Sequence, residues 1–146
     1  MTAFRQQALI ESPVAEVWEL VGDPARYPEW AGEVLEVTGL AEVAEHATFE
    51  QTQRTPFGAD TTVFEIERLD DLREIKLRCQ TSGYYSHWVL TPAQENTFAE
   101  VEIGVEPTSP AYRLFFGTVG RRYLRRISEQ SLDGIRRALT PRSLRR

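Results

Sequence analysis

Along the middle of the chain, apolar and polar residues alternate with period two, whereas residues nearer the two ends follow the longer helical period. Residues 47–55, 60–69, 72–81, 84–92 and 97–106 each read as a strand, because alternation puts every second side chain on one face. Turn residues separate them: Pro56-Phe57-Gly58, Asp70-Asp71, Ser82-Gly83 and Gln94-Glu95-Asn96. Two more strands are expected at residues 3–11 and 33–38. Between those two, Val14, Val17, Trp18 and Val21 share a helical face. Ser12 is placed to cap that helix, and Pro13 takes its first position, where a missing N–H costs nothing. Asp23 and Pro24 repeat the device, and Tyr27-Pro28 is expected to end the second piece, since a residue before proline avoids the α region.

A long helix is expected over residues 110–140, stopped by Pro141. Its buried stripe runs through Phe116, Gly120, Tyr123, Leu124, Ile127, Ser131, Ile135 and Ala138. Hairpin geometry sets the strand partners. Two-residue loops at Asp70-Asp71 and Ser82-Gly83, with four-residue loops at 56–59 and 93–96, fix the register. Residues directly opposite share a face. One row then reads Phe49, Ile66, Ile75, Leu90, Ala99; the next reads Gln51, Phe64, Leu77, Trp88, Val101. A third reads Gln53, Thr62, Cys79, Ser86, Ile103. The other face puts Glu65 opposite Lys76, Val89 opposite Glu100 and His87 between Arg78 and Glu102, with Glu67 opposite Glu74 as a mild misfit. Such a meandering antiparallel sheet has one apolar side, and only the C-terminal helix is long enough to cover it.

Residues 12–30, with Ser-Pro, Val-Trp, Asp-Pro, Tyr-Pro and Trp in that order, resemble the opening of the START-like (SRPBCC) superfamily, in particular its polyketide cyclase/dehydrase branch. The order of the later elements agrees with it. The resemblance implies an α+β helix-grip fold, in which a curved antiparallel sheet of about seven strands wraps around a long C-terminal helix. A short helix pair follows the first strand, and residues 1–146 are expected to form a single domain. It also implies a hydrophobic ligand held between sheet and helix. Some members of the branch are polyketide aromatase/cyclases or dehydratases, and coenzyme-Q-binding relatives contact proteins or membranes.

A formal charge of −5 conceals an asymmetry: residues 1–110 carry 7 basic and 20 acidic side chains, residues 111–146 carry 10 and 2. The basic helix matches an acidic sheet, and Arg121, Arg122, Arg125 and Arg126 allow a weak contact with an anionic surface. Nucleic-acid binding is disfavoured, because the acidic chain would be repelled by phosphates. No apolar run reaches the ~20 residues needed to span a bilayer. Residues 1–10 lack the pattern of a signal peptide, so a cytoplasmic protein is expected. The oligomeric state is not legible.

The third row carries the functional clue. Gln53, Thr62, Cys79 and Ser86 are small or polar yet point inward, and burying such groups without partners costs roughly 1–3 kcal/mol each. They suggest a pocket near the 56–59 loop, the Ser82-Gly83 turn and the start of the long helix, where Gly117 and Gly120 weaken the helix. The candidate ligand-binding residues are Gln51, Gln53, Thr62, Phe64, Leu77, Cys79, Tyr84, Ser86, Trp88, Val101, Ile103, Phe116 and Tyr123. Trp88 and Tyr123 are the aromatic residues expected to touch a ligand, while Trp18 and Trp30 anchor the helix pair. His87 and His46 read as surface residues, and their spacing makes no metal site. Cys79, between Thr62 and Ser86, lacks a base or cation that would make it a nucleophile. No cofactor is expected. Without an inward acid or base, the sequence favours binding or transport of a lipid-, polyketide- or isoprenoid-type molecule. Catalysis in the same pocket is the alternative, with Tyr84, Tyr123, Ser86 and a helix arginine as its only participants.

Overall fold

A computed structural model describes residues 2–140. The elements in chain order are strand β1 (Thr2–Ile10), helix α1 (Val14–Val21), a 3-10 helix (Pro24–Glu29), and strands β2 (Val34–Thr38), β3 (Thr48–Thr55) and β4 (Gly58–Asp70). Strands β5 (Glu74–Cys79), β6 (Tyr84–Ala93) and β7 (Asn96–Val105) follow, then helices α2 (Pro110–Gly117) and α3 (Val119–Leu139). The strands form one curved antiparallel sheet in the order β1-β7-β6-β5-β4-β3-β2. This is the helix-grip architecture expected from the sequence.

Two helix starts differ in chemistry. Asp23 caps the 3-10 helix, its carboxylate accepting from the Ala25 N–H at 3.1 Å. Ser12 does not cap α1: the N-cap is Pro13, with no side-chain hydrogen bond, because the turn begins one residue later than the proline suggested. Nor does Tyr27-Pro28 end the second helix. Pro28 lies inside it: the proline leaves one i→i−3 bond unmade, the turns on either side close through Arg26 N–H to Asp23 O and Trp30 N–H to Tyr27 O, and the helix ends at Glu29.

The C-terminal helix is broken rather than continuous. At Thr118 the backbone leaves the helix (φ −122°, ψ −103°), and the Thr118 hydroxyl donates back to the Leu114 and Phe115 carbonyls. Those bonds satisfy the free end of α2 and let α3 start in a new direction. The expected stripe is covered along α3: Gly120, Leu124, Ile127, Ser131 and Ile135 are buried. Pro141 lies outside the described residues, although Thr140 is already extended (ψ 127°), as a residue before proline prefers.

Register is the main correction. The partners are Phe49↔Phe64, Gln51↔Thr62 and Gln53↔Asp60, not the expected Phe49↔Ile66 and Gln53↔Thr62. Likewise Ile66 faces Leu77 and Leu77 faces Ser86, each two residues from the expected pairing, while Trp88↔Val101 and Leu90↔Ala99 in β6–β7 are as expected. A shift of two keeps every side chain on its face, so the apolar side survives. A bulge between Ile66 and Arg68 removes the misfit at Glu67, whose carboxylate pairs with Arg78 and Lys76. Glu65 therefore faces Arg78, and His87 sits between Lys76 and Glu102 with its ring against Glu74.

The core lies between the sheet and α3, which packs on β1 and β7. Trp30 bridges the layers: its indole N–H donates to the Leu20 carbonyl at 3.2 Å and its ring meets Trp88 edge-on at 5.5 Å. A Cβ on Gly134 would lie 2.2 Å from the Trp30 carbonyl oxygen, so α3 touches this backbone directly. Because α3 grips the β1–β7 side, the concave face under β3, β4 and β5 is left to α2.

Candidate functional site: a cavity under the second helix

Here the sheet and α2 border a half-open cavity of about 460 Å³. Its floor comes from alternating inward residues of β3, β4, β5 and β6: Gln53, Thr62, Phe64, Cys79 and Tyr84. Its roof is Ala111, Tyr112, Phe115 and Phe116 of α2, with Tyr123 of α3 at the rear. Thr55, Phe57, Ala59, Asp60 and Ser82 form the mouth. Phe57 on the β3–β4 turn packs on Phe115 at 5.5 Å and ties hairpin to roof.

Of the sequence-predicted residues, Gln53, Thr62, Phe64, Cys79, Tyr84, Phe116 and Tyr123 meet around this cavity. The others do not. Gln51, Leu77, Ser86, Trp88 and Ile103 line a separate void of only about 20 Å³. Val101 is fully buried in the packed core. The two-residue register shift explains this: Ser86 faces Leu77 instead of Cys79, so it slides away from the open end and into the core. Trp88 is held by Trp30 and points at the void, not the cavity. Cys79 faces Phe64 and lies buried at the cavity wall. The other roof residues, Ala111, Tyr112 and Phe115, were missed, although Tyr112 and Phe115 stand with Phe116 at helical spacing and continue the stripe toward the chain's N-terminal side.

A short polar relay runs behind the floor. The Gln51 amide N–H donates to Gln53 Oε1 at 2.8 Å, Gln53 Nε2 donates to the Tyr123 hydroxyl at 2.6 Å, and that hydroxyl donates to the Arg54 carbonyl at 2.6 Å. Among the described residues, Gln51 Oε1 has no hydrogen-bond partner. Burial pushes the Tyr84 and Tyr123 hydroxyls well above the ordinary tyrosine value, so both stay neutral, and the Tyr123 hydroxyl serves as a donor.

One acid reaches inward, contrary to expectation. Glu33, just before β2, lines both the small void and an outer groove beside Arg54, Arg122 and Arg126. Desolvation pushes its carboxyl from 4.5 up to about 7, against the opposing pull of its own backbone hydrogen bond. The folded state therefore holds a proton that the unfolded chain releases first, and the acid's contribution to stability is lost as pH rises from about 4.5 through about 7. Glu33→Gln is expected to stabilise the protein by ~2 kcal/mol above neutrality, a figure discounted from the full shift because the side chain is partly solvated. It should be neutral well below the unfolded value. Urea titrations at several pH values check this, and an equal effect at every pH would contradict it.

The fold and cavity define a class: a bent sheet gripping a helix, with an aromatic-lined space between them. The chain belongs to the polyketide cyclase/dehydrase and lipid transport family, whose model matches residues 1–140. Among solved structures it is similar to TTHA0849 from Thermus thermophilus (TM-score 0.73, 18% identity, covering 93% of this chain and 95% of that one). It is also similar to a START superfamily protein from Mycobacterium smegmatis (TM-score 0.68, 14% identity, 95% and 94% covered). A third likeness is to StfQ, the di-domain ARO/CYC of the steffimycin biosynthetic pathway (TM-score 0.68, 20% identity, covering 94% of this chain and 48% of that one). At these identities the likeness speaks for the fold. No curated protein is similar enough to count as a match. No helix among the described residues is long and apolar enough to cross a membrane.

Proposed function

We propose that the protein binds a small hydrophobic or aromatic molecule, of lipid, polyketide or isoprenoid type, in the cavity beneath α2. The observation that carries this reading is the wall itself: Phe57, Phe64, Tyr84, Tyr112, Phe115, Phe116 and Tyr123 surround about 460 Å³, with Gln53 and Thr62 as polar groups on the floor and Thr55, Asp60 and Ser82 at the mouth. That volume and that mixture suit an enclosed small molecule. Native mass spectrometry of the protein purified without detergent should show a bound adduct, and titration with 1-pyrenebutanol should saturate at one probe per chain. No adduct across several preparations, together with no saturable probe binding, would overturn the reading.

A second reading, polyketide cyclisation or dehydration, is supported by Glu33. A carboxyl that titrates near neutrality behind Tyr84 and Tyr123 suits proton transfer, while the aromatic walls orient a reactive chain. Its test is turnover of a poly-β-ketone thioester: Glu33→Gln should abolish product without weakening uptake of 1-pyrenebutanol. Unchanged turnover would leave Glu33 out of the chemistry.

A further inference from the structure

The outer face of Tyr123 borders a second concavity, a groove of about 600 Å³ that shares Thr55 and Tyr123 with the ligand cavity. Arg54 borders it on β3, where its carbonyl accepts from the Tyr123 hydroxyl at 2.6 Å, and Arg122 and Arg126 line it from successive turns of α3. Acids outnumber bases in this chain, and more than half of the described arginines pair with them. Arg5, Arg26, Arg68, Arg73, Arg78, Arg125 and Arg136 each have a carboxylate within 4.0 Å. Among the described residues, Arg54, Arg122 and Arg126 have none, although they stand together. Two of the other unpaired arginines have different occupations: Arg121 lies over the Phe4 ring, and Arg137 donates to the Asp133 carbonyl.

We propose that this groove binds an oxyanion, carboxylate or phosphate, carried by the molecule whose apolar part fills the adjoining cavity. The ligand is then an amphiphile, and the inference rests on the cavity reading above. Guanidinium groups suit the task, because their planar forks bind carboxylate and phosphate oxygens in pairs. The groove also reaches Val119, the first residue of α3, where no side chain caps the amide end and the helix dipole is positive. Glu33 is the one carboxylate on the groove wall. Its burial holds part of its population neutral near pH 7, so it opposes an anion only weakly.

The test compares 1-pyrenebutyrate with 1-pyrenebutanol, which share a ring system and differ in charge, on the full chain. The acid should bind about tenfold more tightly than the alcohol, as charge-assisted pairs allow. The Arg122→Gln/Arg126→Gln double variant should bring the acid down to the alcohol and leave the alcohol unchanged. Equal binding of both probes to the unaltered protein, or equal loss of both in the variant, overturns the groove and spares the cavity. Binding of the alcohol without the acid overturns the groove alone; failure of both probes to bind overturns the groove and, with no native adduct, the cavity reading as well. Inorganic phosphate should displace the acid poorly, since a free ion lacks a tail held in the cavity; displacement below millimolar phosphate would mark a free-phosphate site and overturn the amphiphile. Arginine-dependent sedimentation with phosphatidylglycerol vesicles, with both probes bound equally, would assign the arginines to a bilayer and overturn it as well.

Discussion

Replacing Ala111 with tryptophan is expected to abolish uptake of 1-pyrenebutanol, at least a hundredfold in affinity or about 2.7 kcal/mol. Ala111 is exposed in the first turn of α2, and its methyl group faces the cavity. An indole there fills the space from the roof without displacing any core side chain. Thr62→Trp should do the same from the floor, since Thr62 is only partly covered and lines the same cavity. Agreement of two variants from opposite walls separates occlusion from a local distortion. Ser86→Trp, which the sequence alone would recommend, is a control of the opposite kind. Ser86 adjoins a void of about 20 Å³ among Leu77, Trp88 and Ile103, so the larger ring overpacks the core. It should cost about 1–3 kcal/mol of stability. Its probe affinity, measured on the fraction still folded, should change little. Normal uptake by both Ala111→Trp and Thr62→Trp would place the ligand elsewhere.

The contrast between Ser86 and Thr62 shows where sequence reasoning stops. Alternation alone assigns inner and outer faces, and it does so correctly for Gln53, Thr62, Phe64, Cys79 and Ser86. How far along its strand each residue lies depends on turn geometry, and three turns carry no plain signal. Leu72 and Gln94 occupy left-handed backbone (φ 62° and 61°), which nothing in their side chains announces. Pro56-Phe57 forms a two-residue link where four residues were expected. In β6–β7 the shorter loop left the register unchanged, and there every pairing holds. The break at Thr118 was hidden for a related reason. Apolar residues continue through it at helical spacing, so only the hydroxyl's choice of carbonyl partners marks the end of α2. Glu33 was missed because its burial is tertiary. It follows a turn that reads as exposed, and the residues that share its concavities come from far along the chain, Tyr84 on β6 and Tyr123, Ile127 and Ser131 on α3.

Gly83→Ala should destabilise the fold by about 3–5 kcal/mol, a large share of the roughly 5–15 kcal/mol that holds such a domain. Two costs combine. Gly83 has φ +81°, where a Cβ costs about 1–2 kcal/mol. That Cβ would also fall 1.8 Å from the Glu106 carbonyl oxygen, a contact with backbone that no rotamer relieves. Separating the two strains the bonds that stitch the β5–β6 turn to the end of β7: the Gly83 N–H donates to Cys79 O at 3.1 Å, and Gly83 O accepts from the Glu106 N–H at 3.0 Å. Gly39 supplies the comparison. It has nearly the same φ, +80°, yet nothing lies within 4 Å of an added Cβ. Gly39→Ala should therefore cost only the backbone part, about 1 kcal/mol. Urea unfolding of both variants measures the difference, and equal midpoints would refute the close approach. Because Ser82, beside Gly83, stands at the cavity mouth, a folded remnant of Gly83→Ala should also bind 1-pyrenebutanol less tightly, whereas Gly39→Ala should not.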